Sequence, residues 1–355
     1  MASINLQGDT SGSISISAPS VAGSNTLTLP ATTQTLATQN ALGVRNLIIN
    51  GDMNIAQRGT STASITTGGY YTVDRWRLDY STAGTWTMSR DTDVPTGQGF
   101  ATSMKWDCTT ANASLSAGSA MIINQRIEGQ NLQHLKKGTS NAESVTLSFW
   151  VKSNKTGTYI AEINDNDNTR QISKSYTIVS ADTWEKKTLT FAGDTTGTLG
   201  NDNDTSLLLN LWLVAGTDLT SGTLNTSWAS VTASNRAVGQ VNLADNTANY
   251  INITGCQLEI GDSSSDFEFV PYDMELARCQ RYYYTGGSGS NKHGGLYAGS
   301  LYIGQVYFPT TMRASPTVTI VGGTGTAGTA SISDFSFTKT GDGNYISNWK
   351  VDAEL

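Results

Sequence analysis

Few side chains in this sequence have the chemistry to act on a bound molecule. Histidine occurs twice, as His134 and His293, and neither stands in a G-x-S-x-G elbow or another nucleophile setting. His134 lies beside Lys136 and Lys137, and His293 lies in a Gly-rich stretch. Glycoside hydrolysis needs two carboxyl groups held across one sugar. Glu128, Glu162, Glu185 and Glu259 are available, but no spacing pairs them. Gly323-Thr324-Gly325-Thr326-Ala327-Gly328 has the G-x-G-x-x-G spacing, which cradles a dinucleotide only where a helix follows. Ser331-Ile332-Ser333-Asp334-Phe335 follows and alternates like a strand, so a Gly-rich loop between strands is predicted. Two turn-like runs are rich in hard oxygen donors: one carries Asn164, Asp165 and Asp167, the other Asp202 and Asp204. Neither has EF-hand spacing, and both are candidates for a structural Ca²⁺. No other cofactor is expected.

The aromatic residues offer a different chemistry. Trp150, Trp184 and Trp212 fall within strand-like patterns and are assigned to the core. Trp86, Trp106, Trp228 and Trp349 have Thr, Ser, Asp and Asn as neighbours. A flat apolar ring beside amides and carboxylates suits a sugar, whose ring stacks while its hydroxyls hydrogen-bond. With Tyr297, Tyr302 and Tyr307 near the C-terminus, these four Trp are the glycan-binding candidates.

The elements that must position such residues are strands. Charged residues make up 14 % of the 355, against about a quarter in ordinary soluble proteins, and Ser, Thr, Asn and 36 Gly replace them. That is the composition of short strands joined by tight turns. A net charge of −7 argues against nucleic acid, whose binders need a basic stripe. Cys108, Cys256 and Cys279 match neither a disulfide framework nor a zinc site, and are expected as reduced, buried thiols. Met1-Ala2-Ser3-Ile4-Asn5 lacks the basic and apolar regions of a signal peptide. Leu207–Val214, interrupted by Asn210, is far short of the roughly 20 residues that span a bilayer. A soluble protein without its own export signal is expected.

Four stretches differ in texture. Residues 1–44 are nearly uncharged; Ile14 and Ile16 alternate with Ser, and Leu27 and Leu29 with Thr. Such thin strands must bury their apolar residues against copies of themselves or another protein, so this segment is read as oligomerising or anchoring. In residues 45–272, Val145, Leu147, Phe149 and Val151 alternate with Thr146, Ser148, Trp150 and Lys152, giving a strand with one buried face. Leu207, Leu209, Leu211 and Leu213 share one face, with Leu208, Trp212 and Val214 on the other, as in the middle of a sandwich. The expectation is an all-β protein with a central jelly-roll-type β-sandwich. Over residues 273–290 a short helix capped by Asp273, with Leu276 and Cys279 on one side, leads into a Gly/Ser linker. Residues 291–355 form a small C-terminal β module, with Val318 and Ile320 in one strand and Phe335 and Phe337 in another.

Three clusters of residues carry a family resemblance. Asn46-Leu47-Ile48-Ile49-Asn50-Gly51-Asp52-Met53-Asn54-Ile55-Ala56-Gln57-Arg58-Gly59, followed by Thr72-Val73-Asp74-Arg75-Trp76, resembles the opening of a sandwich domain of phage tail-fibre and related virion proteins. Gln125-Arg126-Ile127-Glu128 and Leu147-Ser148-Phe149-Trp150-Val151-Lys152-Ser153 resemble its middle strands. Cys256-Gln257-Leu258-Glu259-Ile260-Gly261, Phe267-Glu268, Pro271-Tyr272 and Cys279-Gln280-Arg281-Tyr282-Tyr283 resemble its closing strand and helix. Ala18-Pro19 with Leu27-Thr28-Leu29-Pro30-Ala31 is similar to the N-terminal piece of phage fibres, and Phe308-Pro309, Met312-Arg313 and Ser315-Pro316-Thr317-Val318 to modules that follow the sandwich. The resemblance implies a virion component, usually trimeric, with a sandwich like that of carbohydrate-binding modules; it transfers no binding residue. The expectation is therefore a non-enzymatic fibre or spike subunit of a phage particle, assembled in the host cytoplasm. It would be a homotrimer, joined through its N-terminal segment to a tail, baseplate or capsid protein, and would attach to host surface polysaccharide. A capsid-decoration or baseplate protein without host ligand, and a carbohydrate-active enzyme, are the alternatives.

Overall fold

The computed structural model describes residues 3–7, 11–17, 45–286, 295–298, 301–322, 326–340 and 348–355. The chain divides into two compact units, Met1–Leu42 and Gly43–Leu355. Within the first, β1 (Ser3–Gln7) and β2 (Ser13–Ser17) form an antiparallel hairpin that pairs Ile4 with Ile16 and Leu6 with Ile14. Leu27, Leu29 and Pro30 lie outside the described residues.

The second unit is built on a jelly-roll-type sandwich of two antiparallel sheets. The first sheet runs, edge to edge, β14 (Ala229–Ser230), β11 (Arg170–Ile178), β10 (Gly157–Asp165), β13 (Thr205–Ala215), β8 (Ala120–Glu128), β5 (Arg77–Ser81), β4 (Gly69–Tyr70). The second runs β12 (Glu185–Phe191), β9 (Val145–Ser153), β15 (Tyr250–Ile260), β7 (Ser103–Thr110), β6 (Thr85–Asp91), β3 (Ser61–Ile65). Their inner faces carry the period-two apolar residues. Val145, Leu147, Phe149 and Val151 of β9 and Ile251 and Ile253 of β15 meet Leu207, Leu209, Leu211 and Leu213 of β13 in one core. β13 is apolar on both faces for the reason its sequence indicates. Trp212 points outward and is covered, with Ile122, Ile160 and Ala215, by Ala237, Leu219 and Leu224 of the 216–242 connection.

The framework motifs have clear mechanical roles. Asn46 ties the incoming chain to β15: its Oδ1 accepts from Ile48 N and Leu258 N (both 3.0 Å), and its Nδ2 donates to Cys256 O at 3.0 Å. Asn50, in the left-handed region at φ 59°, closes a loop through Ile55 N, Ile55 O and Asp74 O. Its carbonyl also accepts from the Trp76 indole at 3.1 Å. Gly51 passes so close to β15 that a Cβ would stand 2.1 Å from Cys256 O.

A nine-residue helix, α1 (Tyr272–Gln280) here, follows the sandwich. Asp273 lies in its first turn without capping it by a side-chain hydrogen bond, and the buried pair is Glu275 and Cys279 rather than Leu276 and Cys279. Glu275 is inward because its carboxylate accepts the Asn50 N–H. Tyr283–Gly286, expected within the helix-and-linker stretch, forms β16 at the edge of a three-stranded sheet with β22 (Asn348–Asp352) and β19 (Thr317–Gly322). A four-stranded sheet contains β17 (Gly295–Ala298), β18 (Leu301–Tyr307), β21 (Asp334–Thr340) and β20 (Thr326–Ala330). Val306, Met312, Phe335, Trp349 and Val351 form the small core of this part. It is fastened to the sandwich by ion pairs of Glu354 with Arg58 and Arg75, and by Arg313, which donates to Asn203 O (2.8 Å) and Ala353 O (2.9 Å). Among the described residues no helix is long and apolar enough to cross a membrane.

Candidate functional site

The aromatic candidates separate cleanly. Trp86 and Trp106 project inward from β6 and β7 and are fully buried in the core, so neither can meet a sugar. Trp349 is also buried, edge-on to Phe335 (5.2 Å, 69°) and Tyr284 (5.1 Å, 73°). In all three cases the polar neighbours face the other side of the strand, which is what a half-buried strand requires. Trp228 is half-buried against the core, its indole donating to Ala192 O at 2.7 Å. Tyr307 is exposed on β18; of the side chains of Tyr297 and Tyr302 the described structure gives nothing, and His293 lies outside the described residues. Trp150 and Trp184, assigned to the core from sequence, stand half-buried on the outer face of the six-stranded sheet.

The oxygen-rich turns hold a lysine. Lys137, nearly buried, places its ammonium 2.5 Å from Asp165 Oδ2 and 3.1 Å from Asp194 Oδ2, and donates to Thr196 O and Gly197 O at 2.9 Å each. Arg170 completes the neutralisation with a two-pronged contact to Asp194 (2.7 and 3.0 Å). Arg170 and Lys137 together hold the Asp194 carboxyl below its usual range against burial, the largest single influence. Asp167 accepts from Gly200 N and Asp202 from Asp204 N, while exposed Asp204 lies 3.6 Å from Arg313. Among the described residues no three His, Cys, Asp or Glu side chains form a group able to hold a metal. The four carboxylates weighed for hydrolysis are likewise engaged. Glu162 alone accepts from Asn210, Trp212 and both prongs of Arg236, at 2.9–3.1 Å. Glu128 accepts from Arg281, Tyr282 and Gln130, Glu185 from Lys187 and two backbone N–H groups, and Glu259 from Gln257 and Ser265.

What does form a polar surface is the outer face of the seven-stranded sheet. Strand register aligns Ser173, Glu162, Asn210, Asn124, Arg77 and Tyr70 in one row across six strands. One step along, Gln171, Asn164, Leu208 and Arg126 make a second row. The 216–242 connection covers the neighbouring Trp212 row and clamps Glu162 through Arg236, but Arg77, Arg126, Asn164 and Leu208 keep part of their surface. The strip contains hydrogen-bonding atoms without protein partners. Both amide atoms of fully buried Gln171 are unpaired, as are Asn124 Oδ1 and Arg126 Nε. Asn124 Nδ2 is held by Asp79 at 2.8 Å, which aims Oδ1 away from that contact. Asp79 neutralises Arg77, whereas Arg126 has no carboxylate partner among the described residues. Burial and then the Arg126 charge lower the Arg77 pKa. Unpaired buried polar atoms cost about 1–3 kcal/mol each, so these atoms lower stability, and the groups open to a guest are the partly exposed Arg77, Arg126 and Asn164. Of these residues only Asn164, as a Ca²⁺ ligand, and Glu162, as a carboxylate for hydrolysis, stand out in the sequence as candidates. The available signal was the period-two set Ile122, Asn124, Arg126 within an apolar strand.

No family model matches the chain, and no curated protein matches it. Solved structures do. The enzymatically active domain of tailspike protein 4 of bacteriophage CBA120 is 16 % identical, with a TM-score of 0.32, over 61 % of this chain and 21 % of that one. The N-terminal cellulose-binding domain of Cellulomonas fimi β-1,4-glucanase C is 15 % identical, with a TM-score of 0.29, over 59 % of this chain and all of that one. A family 11 carbohydrate-binding module of Clostridium thermocellum is 10 % identical, with a TM-score of 0.27, over 57 % and 95 %. This chain thus spans about a fifth of the tailspike's length. The likeness is one of sandwich architecture.

Proposed function

We propose that this chain is a virion fibre or spike subunit of a bacteriophage whose sandwich binds acidic host-surface glycans along the strip from Asn164 to Arg77. It acts by contact and not by catalysis. Its N-terminal segment joins the particle, and three copies assemble into the fibre, so that weak contacts are multiplied. The virion reading rests on the framework motifs between Asn46 and Tyr283, which lock the entry segment, β15 and α1 together. The ligand reading is carried by one observation: Arg126, with no carboxylate partner among the described residues, keeps part of its surface on the outer sheet face, in one row with the partly open Asn164 amide. A sugar carboxylate meets a guanidinium through paired charge-assisted hydrogen bonds, and sugar hydroxyls donate to an amide oxygen.

Calorimetric titration with oligogalacturonate and polysialic acid tests this. Wild-type protein is expected to bind at least one of them, with affinity falling as salt rises; Arg126→Ala should weaken binding about tenfold or more, a loss of about 1.4 kcal/mol. Absence of binding to either, or wild-type affinity in Arg126→Ala, refutes the ligand reading and favours a structural role without host ligand. Light scattering at three times the mass of one chain supports the trimer.

A further inference from the structure

We propose that the outer face of the six-stranded sheet is a second saccharide site, specific for neutral sugar rings and centred on Trp150 and Trp184. Val151 and Phe149 of β9 enter the core, so Trp150 and Lys152 point out, and Lys186 of β12 pairs with Trp150. Trp184 immediately precedes β12 and shares the Asp93 carboxylate with Lys152, which brings its indole to the side of the sheet on which Trp150 and Lys152 point. Both indoles are half-buried and keep part of their surface open.

The Trp184 ring is fixed in place. Its Nε1 donates to Asp93 Oδ1 at 2.9 Å, and the other oxygen of that carboxylate accepts from Lys152 Nζ at 2.7 Å. A side chain already held in one orientation loses little freedom when a ligand stacks on it. On the β15 side, the face continues with Asn252, fully buried, whose Nδ2 donates to Ser103 Oγ at 3.0 Å and whose Oδ1 has no partner. Tyr250 follows, its ring 5.2 Å from Lys105 Nζ and its hydroxyl donating to Asp182 at 2.5 Å.

The charges select the occupant. Lys152 is matched by Asp93, and Lys105 by Asp107 at 2.9 Å. Exposed Lys186, opposite Trp150, has no ion-pair partner among the described residues, but neither have Asp91, which accepts from Asn252, and Asp182, which accepts from Tyr250, so the face carries no positive excess to attract a carboxylate. Protein interfaces deplete charged residues from their centres, whereas this face interleaves ion pairs with its indoles. Aromatic plates among polar groups without a positive excess suit a neutral oligosaccharide.

The two sites lie on different sheets, so their tests separate. Wild type, Trp150→Ala, Trp184→Phe and Arg126→Ala would be titrated calorimetrically with neutral hexasaccharides of glucose, galactose and mannose. Wild type is expected to bind at least one of the three. Trp150→Ala should weaken it about tenfold. Trp184→Phe, which keeps a ring and loses the Asp93 contact, should weaken it several-fold. Arg126→Ala should bind it as wild type does while losing the acidic glycan. No binding to any of the three, or wild-type affinity in Trp150→Ala, overturns the proposal. So does a lower solution mass in Trp150→Ala, which would make this face a contact between copies. Trp184→Phe reports independently should Trp150→Ala fail to fold.

Discussion

Asp74 gives the sharpest test of how the sandwich is held to the C-terminal part. Its carboxylate is buried, accepts Gln57 N at 3.0 Å and Gln57 Nε2 at 2.5 Å, and lies 3.6 Å from Arg58 Nη1. Burial dominates and pushes its pKa from 3.8 to about 6, with nearby Glu354 adding to the rise and Arg58 and Gln57 opposing it. A carboxyl with a raised folded pKa binds its proton more tightly folded than unfolded. Below the unfolded pKa both states hold the proton. As pH climbs from about 4 to about 6, the folded state is progressively disfavoured. A rise of that size, at about 1.36 kcal/mol per pH unit, amounts to about 3 kcal/mol. Asp74→Asn removes the titration while keeping an acceptor for Gln57 N. Urea unfolding of both proteins at pH 4, 5, 6, 7 and 8 should show the variant gaining on wild type by about 3 kcal/mol across that window, then running parallel above pH 7. A constant difference would mean that the folded pKa is ordinary. A difference that moves the other way would mean that attraction to Arg58 outweighs burial, and the reasoning would fail.

Three further outcomes follow from the same contacts. Lys137→Met strands Asp165 and Asp194 with Arg170 alone and should cost about 3–5 kcal/mol by urea unfolding, whereas EDTA should leave the wild-type melting temperature unchanged because the ammonium fills the oxygen cage. Gly51→Ala drives a Cβ into the Cys256 carbonyl and should lower stability by about 1–3 kcal/mol or more, without altering the denaturant slope. All three thiols are buried with pKa values pushed up by burial, that of Cys108 to about 11, so a disulfide reagent should modify them only as the protein unfolds.

Parity explains both what was legible in the sequence and what was misread. Period-two alternation places the inner faces of β9 and β13 correctly, since a strand covered on one side has no other way to sort its residues. The same rule, applied to Trp86–Met88, Met104–Trp106–Cys108 and Trp349–Val351–Ala353, puts all three Trp inside. Polar residues at the adjacent positions suggested exposure, though they belong to the opposite face. It also puts Trp150 with Lys152, outside. The contacts that no local pattern carries are the distant ones. The cation for Asp165 comes from Lys137, the partner of buried Glu275 is the Asn50 N–H, and the cover over Trp212 is a connection of irregular backbone. Each depends on chain topology, which alternation does not encode.

Gln171 tests whether the unpaired atoms of the strip are kept for use. A fully buried glutamine with both amide atoms unpartnered is a poor choice for stability, because a methionine of similar length would bury no orphan. Ile172 beside it enters the core, whereas Gln171 aligns with Asn164 on the outer face, so the substitution leaves the inner packing untouched. Gln171→Met should raise stability by about 1 kcal/mol or more in urea unfolding and leave binding of the acidic glycan unchanged, because the buried amide has no surface to offer a ligand. If Gln171→Met is less stable than wild type, the amide has a structural partner. If it is more stable but binds the glycan more weakly, the unpaired amide does take part in recognition, and the strip extends to Gln171.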